Sequence, residues 1–431
     1  MPDDPPKPKH DHTSLKFPEG FLWGVGISSF QVEGQNFFAD WWNAEIKKTP
    51  LKQRSGQAAN QYHLYESDFD LAKKLNLNAF RLSLEWSRIE PRPGEFDHHE
   101  IEHYRKVLKS LKDRNFKVML TLWHVTLPQW IAEQGGWENS QTVKYYLRYL
   151  ERVVPEIKDL VDFWITLNEP DIYVFMVYNA KTWPISRNGV LGQIKTYLNL
   201  VSAHKKAYKL LHRLSNSPVG VAQNMQSYEG YHKHSLREQA AAIISDLVAN
   251  HLFHFLTRGY HDFLGVNYYF HHRYKVDKGF LPSMVNVADH LRDVSDMGWE
   301  INPEGLFDVL ADLENHLPIY ITECGIASTN DDRRTRFLIH YLQEVYRSLH
   351  AGVKVKGFFY WSLVDSFEWE YGYNSRFGLI EVDFKTQKRI IRSSAHVYEE
   401  IIKRNAIPHD LLKLLGHGIR VEDVLKEKIK E

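Results

Sequence analysis

The sequence predicts an α/β protein built as a single (β/α)8 TIM barrel with long loops after its strands. Three observations predict this fold class: eight strand-like runs, helix-like segments between them, and polar residues where several runs end. Strands that alternate with helices form a parallel sheet, and eight such units describe a closed barrel. The runs, rich in β-branched and aromatic residues, are Phe21–Ile27, Asn78–Leu84, Lys117–Trp123, Phe163–Asn168, Val219–Met225, Phe263–Tyr269, Ile319–Cys324 and Lys356–Leu363.

The segments between these runs have helical periodicity, with apolar residues every three or four positions. The clearest are Ser67–Asn76, Ile101–Asn115, Val143–Ile157, Leu198–Leu214 and Arg334–His350. Prolines interleaved with charges predict a disordered tail over residues 1–16, so the barrel is expected over residues 17–405. Residues 406–431 have the spacing of short amphipathic helices and predict a C-terminal helical extension.

Composition excludes several classes of protein. The chain of 431 residues carries 54 basic and 54 acidic side chains, so it has no cationic surplus for binding nucleic acid. A hydrophobic content of 43% is too high for a disordered chain. A single cysteine, Cys324, excludes an internal disulfide and predicts a cytoplasmic protein. No stretch resembles a signal peptide or a membrane span, so we expect neither a membrane nor a nucleic-acid partner.

Two glutamates give the strongest chemical signal. Glu169 and Glu323 each follow an apolar run, and they meet only if the barrel closes. The carboxyl ends of barrel strands line one mouth, and a facing pair of carboxyl groups is what glycoside hydrolysis requires. The alternative interpretation is that each glutamate forms an ordinary ion pair at the end of the sheet and has no catalytic role. Asn168 and Tyr269 favour the catalytic interpretation, because an amide can bind a sugar hydroxyl and a phenol can orient a carboxylate.

Several long segments resemble glycoside hydrolase family one, the β-glucosidase family, from about Phe17 to Asn405. They occur in the family's order and read F-P-E-G-F-L-W-G-V-G-I-S-S-F-Q-V-E-G, F-R-L-S-L-E-W-S-R-I-E-P, T-L-W-H, T-L-N-E-P, F-L-G-V-N-Y-Y, Y-I-T-E-C-G and F-Y-W-S-L-V-D-S-F-E-W. The resemblance implies hydrolysis of terminal, non-reducing β-D-glucosyl residues of small glycosides or oligosaccharides, with galactosides or fucosides as alternative substrates. It implies retention through a covalent glycosyl-enzyme intermediate, without cofactor or metal.

The resemblance also implies a role for each site residue. Glu169 would be the general acid/base and Glu323 the nucleophile. The sugar-binding residues would be Gln31, His124, Asn168, Trp361, Glu368 and Trp369, supported around the nucleophile by Arg81, Asn267 and Tyr269. A carboxyl group at Glu368 favours neutral sugars over 6-phosphorylated ones.

Three positions depart from the family pattern. Val125 stands where an aromatic residue is usual, Asp171 follows N-E-P, and Cys324 follows the expected nucleophile. These departures affect the expected contacts to the leaving group and the fine sugar specificity. The catalytic pair is intact.

The sequence leaves two alternatives to this function. One is a catalytically silent, sugar-binding barrel, which would not need two facing carboxyl groups. The other is a zinc peptidase, because residues 99–103 fit H-E-x-x-H. In that helix the apolar residues lie on the opposite side from His99 and His103, so we expect both histidines to face water and to bind no metal.

Overall fold

Eight parallel strands form a closed barrel in this computed structural model, which describes residues 14–47, 53–183, 185–276, 283–284, 293–313 and 317–415. The strands are β1 (Leu22–Gly26), β2 (Ala79–Ser83), β3 (Lys117–Thr121), β4 (Phe163–Asn168), β5 (Val219–Gly230), β6 (Phe263–Lys275), β7 (Ile319–Cys324) and β8 (Val355–Trp361). Each pairs with its neighbours in chain order, and β8 closes the ring by pairing with β1. The predicted fold class is confirmed.

The interior of the barrel is a packed layer of side chains. Seven of the eight strands each contribute one buried residue to it: Ala79, Met119, Ile165, Ala222, Phe263, Tyr320 and Phe359. Leu22 of β1 packs against the same layer. A Cβ atom on Gly24 would lie 2.3 Å from the Phe359 ring, so only glycine fits there. Because these side chains fill the interior of the barrel, any ligand must enter at the carboxyl ends of the strands.

Fifteen α-helices surround the barrel in the described part of the chain. They are α1 (Ser29–Glu33), α2 (Asp40–Lys47), α3 (Gln61–Lys74), α4 (Trp86–Ile89), α5 (His98–Asp113), α6 (Gln129–Glu133), α7 (Gln141–Ile157), α8 (Pro170–Phe175), α9 (Val190–Leu214), α10 (Leu236–Asp246), α11 (Leu252–Leu256), α12 (Pro303–Asp312), α13 (Asp331–His350), α14 (Ser393–Arg404) and α15 (His409–Leu412). The five helices predicted from periodicity correspond to α3, α5, α7, α9 and α13. Among the described residues, no helix is long and apolar enough to cross a membrane.

Shorter elements complete the chain. The 3-10 turns are Gly136–Glu138, Lys158–Leu160, Trp369–Tyr371 and Lys413–Leu415, and the π-helical segments are Met176–Ala180 and Leu247–His251. The short strands Ser283–Met284 and Ile380–Val382 pair with the end of β6 and with Arg389–Ile391, respectively.

The two ends of the described chain meet in a short antiparallel pair. Leu15–Lys16 pairs with Ala406–Ile407, so the predicted tail over residues 1–16 is wrong for its last two residues, whose backbone groups bond to the start of the C-terminal extension. The buried side chains of Leu411 and Leu414 then hold that extension against the barrel. Residues 1–13 and 416–431, which contain the rest of both predicted segments, lie outside the described residues.

Candidate active site

The mouth of the barrel gathers the predicted site residues at the carboxyl ends of the strands. Glu169 directly follows β4 and is the N-cap residue of helix α8, with a left-handed backbone and a φ of 46°. Glu323 is the fifth residue of β7 and lies in register with Asn267 of β6. The two glutamates, distant in the chain, therefore meet at one mouth because the barrel is closed: Asn267, which is in register with Glu323, donates a hydrogen bond to Glu169.

Glu323 is buried, with 4% of its surface exposed, and both of its carboxyl oxygens accept hydrogen bonds. The Arg81 guanidinium donates to Oε1, and the Tyr269 hydroxyl donates to Oε2 over 2.9 Å. Arg81 also donates to Asn168 Oδ1 over 2.6 Å and to the Thr322 carbonyl over 3.0 Å. A cation thus lies directly against this glutamate, and it is itself fixed by these two bonds and by a third to the Thr121 hydroxyl over 3.3 Å.

The hydrogen-bond partners of Glu169 are neutral instead. The side-chain amides of Asn224 and Asn267 donate to its Oε1 over 3.0 and 2.9 Å. Burial and then the charge of Glu323 raise the pKa of Glu169 to about 7, although both amide bonds favour the ionised form. A carboxyl group with this pKa exchanges a proton readily near neutral pH.

Asn224 was not singled out in the sequence. It lies near the carboxyl end of the predicted strand Val219–Met225, after an apolar run. Asn267 has the same place in the next strand. The same signal that identified Asn267 would have found it. Thr322 was missed as well, and its hydroxyl orients Asn267 by donating to Oδ1 over 2.7 Å.

Gln31 and Glu368 form a polar wall on the side of the mouth built by β1 and β8. The Gln31 amide donates to Glu368 Oε2 over 3.1 Å, and the Ser366 hydroxyl donates to Oε1 over 2.6 Å. Burial, assisted by the charge of Glu323, raises the pKa of Glu368 to about 7 against these bonds. Near neutral pH this carboxyl group can both donate and accept hydrogen bonds.

Three rings line another part of the mouth. His124 is parallel to Trp361 within 12° and to Trp369 within 13°, with ring centroids 6.0 and 6.4 Å away. Burial and the charge of Arg81 hold the pKa of His124 well below its usual range, so the ring is neutral. Trp369 also stacks on Phe30 at 5.7 Å, which fixes its indole in the wall.

Direct contacts connect all eleven site residues predicted from the sequence. The links not yet given are the bond between the amide of Asn267 and Asn168 Oδ1, over 3.1 Å, and that between the amide of Asn168 and His124 Nε2, over 3.3 Å. The Trp361 indole lies close enough to Glu368 to lower the pKa of that carboxyl group, so the polar wall adjoins the rings. The structure thus brings the eleven residues together, whereas their individual roles stay predictions.

The sequence model of the family described as Glycosyl hydrolase family 1 matches residues 13–261 and 228–407. The chain belongs to this family. A 1,4-β-D-glucan glucohydrolase of Thermotoga neapolitana is 30% identical over 91% of this chain and 99% of its own length. A β-galactosidase of Pyrococcus woesei is 30% identical over 93% and 100%. A solved β-glycosidase from Pyrococcus horikoshii is 35% identical over 94% and 98%, with a TM-score of 0.87.

The three departures from the family pattern lie at or near the mouth. Val125 is buried and has a φ of 68°, an unusual conformation for a β-branched residue. Asp171 has one oxygen, Oδ1, that is buried without a hydrogen-bond partner, and burial together with Glu169 raises its pKa well above the usual value. Cys324 is fully buried, and burial raises the pKa of its thiol.

The two histidines of the H-E-x-x-H segment do not lie on one exposed face of helix α5. His99 is exposed as predicted, but the prediction that His103 faces water is wrong. His103 is half-buried and stacks on Tyr62 of α3 at 3.8 Å, and burial lowers its pKa to about 4. Elsewhere in the described residues, Asp246, His251 and Asp312 have the spacing of a cation site, and none of them belongs to the mouth network.

Proposed function

We propose that this family 1 glycoside hydrolase removes terminal, non-reducing β-D-glucosyl residues with retention of configuration. The observation that carries the proposal is the contrast within the carboxyl pair. Glu323 is bonded to a guanidinium and a phenol, whereas Glu169 is bonded to two amides and has a pKa raised to about 7. One group is suited to remain a nucleophilic carboxylate, and the other to carry a proton.

In the first step, Glu323 attacks the anomeric carbon while protonated Glu169 gives its proton to the departing oxygen. The bond to the leaving group breaks and an ester to Glu323 forms, so the leaving group departs as a neutral alcohol. Tyr269 and Arg81 hold the two carboxyl oxygens of Glu323, which limits the rotation of the nucleophile.

In the second step, Glu169 acts as a base toward water. Formation of the ester removes the negative charge of Glu323, and that charge is one of the causes that raise the pKa of Glu169. The pKa of Glu169 therefore falls in the intermediate, so that its carboxylate accepts a proton from the attacking water. The water displaces Glu323 from the anomeric carbon and regenerates the β-configured sugar.

The proposed sugar specificity rests on the wall of Gln31 and Glu368 and on Trp361. An amide and a carboxyl group held together can bind adjacent neutral hydroxyls, and an indole face can stack on a pyranose ring. The relatives are named for glucan and for galactoside substrates, so glucose as the preferred sugar is our proposal. Small glycosides and oligosaccharides would be the substrates, without cofactor.

We also propose that the enzyme works in the cytoplasm. Its single cysteine forms no internal disulfide, and the thiol is fully buried. This is the cysteine usage expected of a protein in a reducing compartment.

Proton NMR during early turnover of p-nitrophenyl β-glucoside tests the activity. We expect β-glucose to appear first and a higher kcat/KM than with the corresponding β-galactoside or β-fucoside. Early α-glucose would contradict retention, and a higher kcat/KM for the galactoside would contradict the glucosyl preference. No turnover of any β-glycoside would favour the silent, sugar-binding barrel.

A further inference from the structure

Three polar side chains on β5 form a row that leads to Glu169. Alternate side chains of a strand lie on the same face, so Asn224, Gln226 and Tyr228 are neighbours along β5. The Tyr228 hydroxyl donates to Gln226 Oε1 over 2.8 Å, and the Gln226 amide donates to Asn224 Oδ1 over 2.9 Å. The Asn224 amide then donates to Glu169 Oε1 over 3.0 Å. Every hydrogen bond of this row therefore points its donor toward Glu169.

The bond from Gln226 determines which end of the Asn224 amide faces Glu169. A side-chain amide has one donor end and one acceptor end, and half a turn exchanges them. The NH2 group of Asn224 faces Glu169, and its oxygen faces the NH2 group of Gln226. Half a turn would bring an oxygen against the Glu169 carboxylate and two NH2 groups against each other. Gln226 therefore favours the orientation in which Asn224 stabilises ionised Glu169.

Gln226 is itself held in place by Asn250. Its side chain is 8% exposed, its backbone N–H donates to Asn250 Oδ1 over 3.0 Å, and its carbonyl accepts from the Asn250 amide over 2.8 Å. Asn250 is buried in the π-helical segment Leu247–His251. The pairing of β5 with β6 is irregular at this point, because the register shifts between Met225 and Ser227. Asn250 thus fixes the backbone of Gln226 where the ladder between the two strands is interrupted.

We propose that Gln226 is a positioning residue, which turns the Asn224 amide toward Glu169 so that this amide stabilises the carboxylate needed in the second step. The inference rests on the proposed function of Glu169 and extends it to a residue that the sequence analysis did not single out. Gln226 and Tyr228 lie beyond the predicted strand Val219–Met225. The polar extension of β5 would thus serve the chemistry at the mouth.

A different explanation is that the Gln226 amide only stabilises the extended part of β5. The two explanations differ in whether the effect of Gln226 passes through Asn224. A stabilising amide would act in the same way with or without the Asn224 side chain. A positioning amide has no effect on Glu169 once the Asn224 amide is gone.

Titration of Glu169 in the free enzyme measures the effect without relying on turnover. The full chain is labelled with ¹³C at the glutamate side-chain carboxyl carbons, and Glu169→Gln identifies the Glu169 signal by its disappearance. Gln226→Met keeps the length of the side chain and removes the amide. It should raise the pKa of Glu169 by about 0.3 pH unit, because Asn224 then turns more freely. The alkaline limb of kcat/KM for p-nitrophenyl β-glucoside should move upward by the same amount.

The charged and titratable groups that face Glu169 stay in place in this variant. The charge of Glu323 raises the pKa of Glu169, and that of Arg81 lowers it. Tyr269 and Asp171 also lie close enough for the charge of Glu169 to raise their own pKa values. Because Gln226 is uncharged, its replacement by methionine removes no charge from this set.

The decisive comparison combines Gln226→Met with Asn224→Ala. The double variant should titrate as Asn224→Ala does alone. The matched control is Gln223→Met, since Gln223 is a buried amide on the same strand that donates to the carbonyls of Ala249 and Asn250. It should leave the pKa of Glu169 unchanged.

Tyr228→Phe provides a second route, because it removes only the hydroxyl that holds Gln226 Oε1. It should raise the pKa of Glu169 by about 0.2 pH unit, and it replaces Gln226→Met in every comparison if that variant does not fold.

Two outcomes would overturn the proposal. One is an unchanged pKa of Glu169 in both Gln226→Met and Tyr228→Phe. The other is a shift from Gln226→Met that is equally large with and without the Asn224 side chain. A raised pKa of Glu169 with an unmoved alkaline limb would support the positioning by Gln226. It would contradict the proposed role of Glu169 instead, so the two failures are distinguishable.

Discussion

The two sides of the mouth present the same acid in different surroundings. On the β7 side, Glu323 is bonded to the Arg81 cation and to the phenol of Tyr269. On the β4 side, Glu169 is bonded to the neutral amides of Asn224 and Asn267. The comparison teaches that the neighbours of a carboxyl group, and not its residue type, determine whether it suits nucleophilic attack or proton transfer.

The largest expected effects come from removing each carboxyl group in turn. Glu323→Ala should lower kcat by about 10⁴-fold or more for every leaving group, because the attacking atom is lost. Glu169→Ala should lower it by about 10²- to 10⁴-fold for poor leaving groups and much less for activated aryl glucosides, which depart without a proton.

Azide distinguishes the two variants by the configuration of the product. Glu169→Ala with azide should yield the β-glucosyl azide, since azide replaces water in the second step. Glu323→Ala should yield the α-glucosyl azide, since azide then replaces the nucleophile in a single displacement. The same azide anomer from both variants would contradict the division of roles.

The polar wall should discriminate against a phosphorylated sugar. Glu368 is buried, and Arg376, the first cation that follows it in the sequence, is already bonded to Asp365 over 3.2 Å. A 6-phosphate without a cationic partner should lower kcat/KM by about a hundredfold, which corresponds to about 2.7 kcal/mol. Glu368→Ser should reduce this difference in kcat/KM, mainly by lowering kcat/KM for the neutral substrate. A wild-type preference for p-nitrophenyl β-glucoside 6-phosphate would contradict this placement of Glu368.

The pH dependence of kcat/KM should change when an amide that donates a hydrogen bond to Glu169 is removed. Because the first step needs the protonated acid, kcat/KM should fall as pH rises through about 7. The Asn224 amide stabilises the ionised form, so Asn224→Ala should move this alkaline limb upward by about half a pH unit. The control is Asn78→Ala, since Asn78 bonds to the backbone of Trp23 and Phe21. An unmoved limb in Asn224→Ala would show that another group sets it.

The smallest effect on activity is expected from changes far from Glu169 and Glu323. Activity should survive EDTA and the double change His99→Ala, His103→Ala, because neither histidine belongs to the mouth. The free energy of unfolding should fall by about 1 kcal/mol, since His103 loses its stacking on Tyr62. Loss of activity with EDTA and its return with zinc would instead support the metal interpretation.

The strand and helix pattern predicted the fold because it is local and repeats eight times. The pattern did not predict that β5 and β6 extend to Gly230 and Lys275. Beyond the barrel these strands pair with each other, for example Ser227 with His271, and the end of β6 also pairs with Ser283–Met284. Their side chains there are mostly polar. Without one apolar face, the sequence has no alternation that indicates a strand.

The candidate site was predicted where a polar residue ends an apolar strand, and where the family resemblance supplied the loop residues. The stacking of His103 on Tyr62 was not predictable, because periodicity places a residue on its own helix and says nothing about the helix beside it. The charge of Glu323 contributes to the raised pKa of Glu169. Burial contributes more, and it depends on the closed mouth.

Trapping the covalent intermediate tests the division of roles most directly. A 2-deoxy-2-fluoro-β-glucoside with an activated leaving group should slow both steps and leave the sugar attached to the enzyme, because the fluorine destabilises the oxocarbenium-like transition states. Peptide mass mapping should then place the fluorosugar on Glu323. A label on Glu169, or on any other residue, would contradict the account.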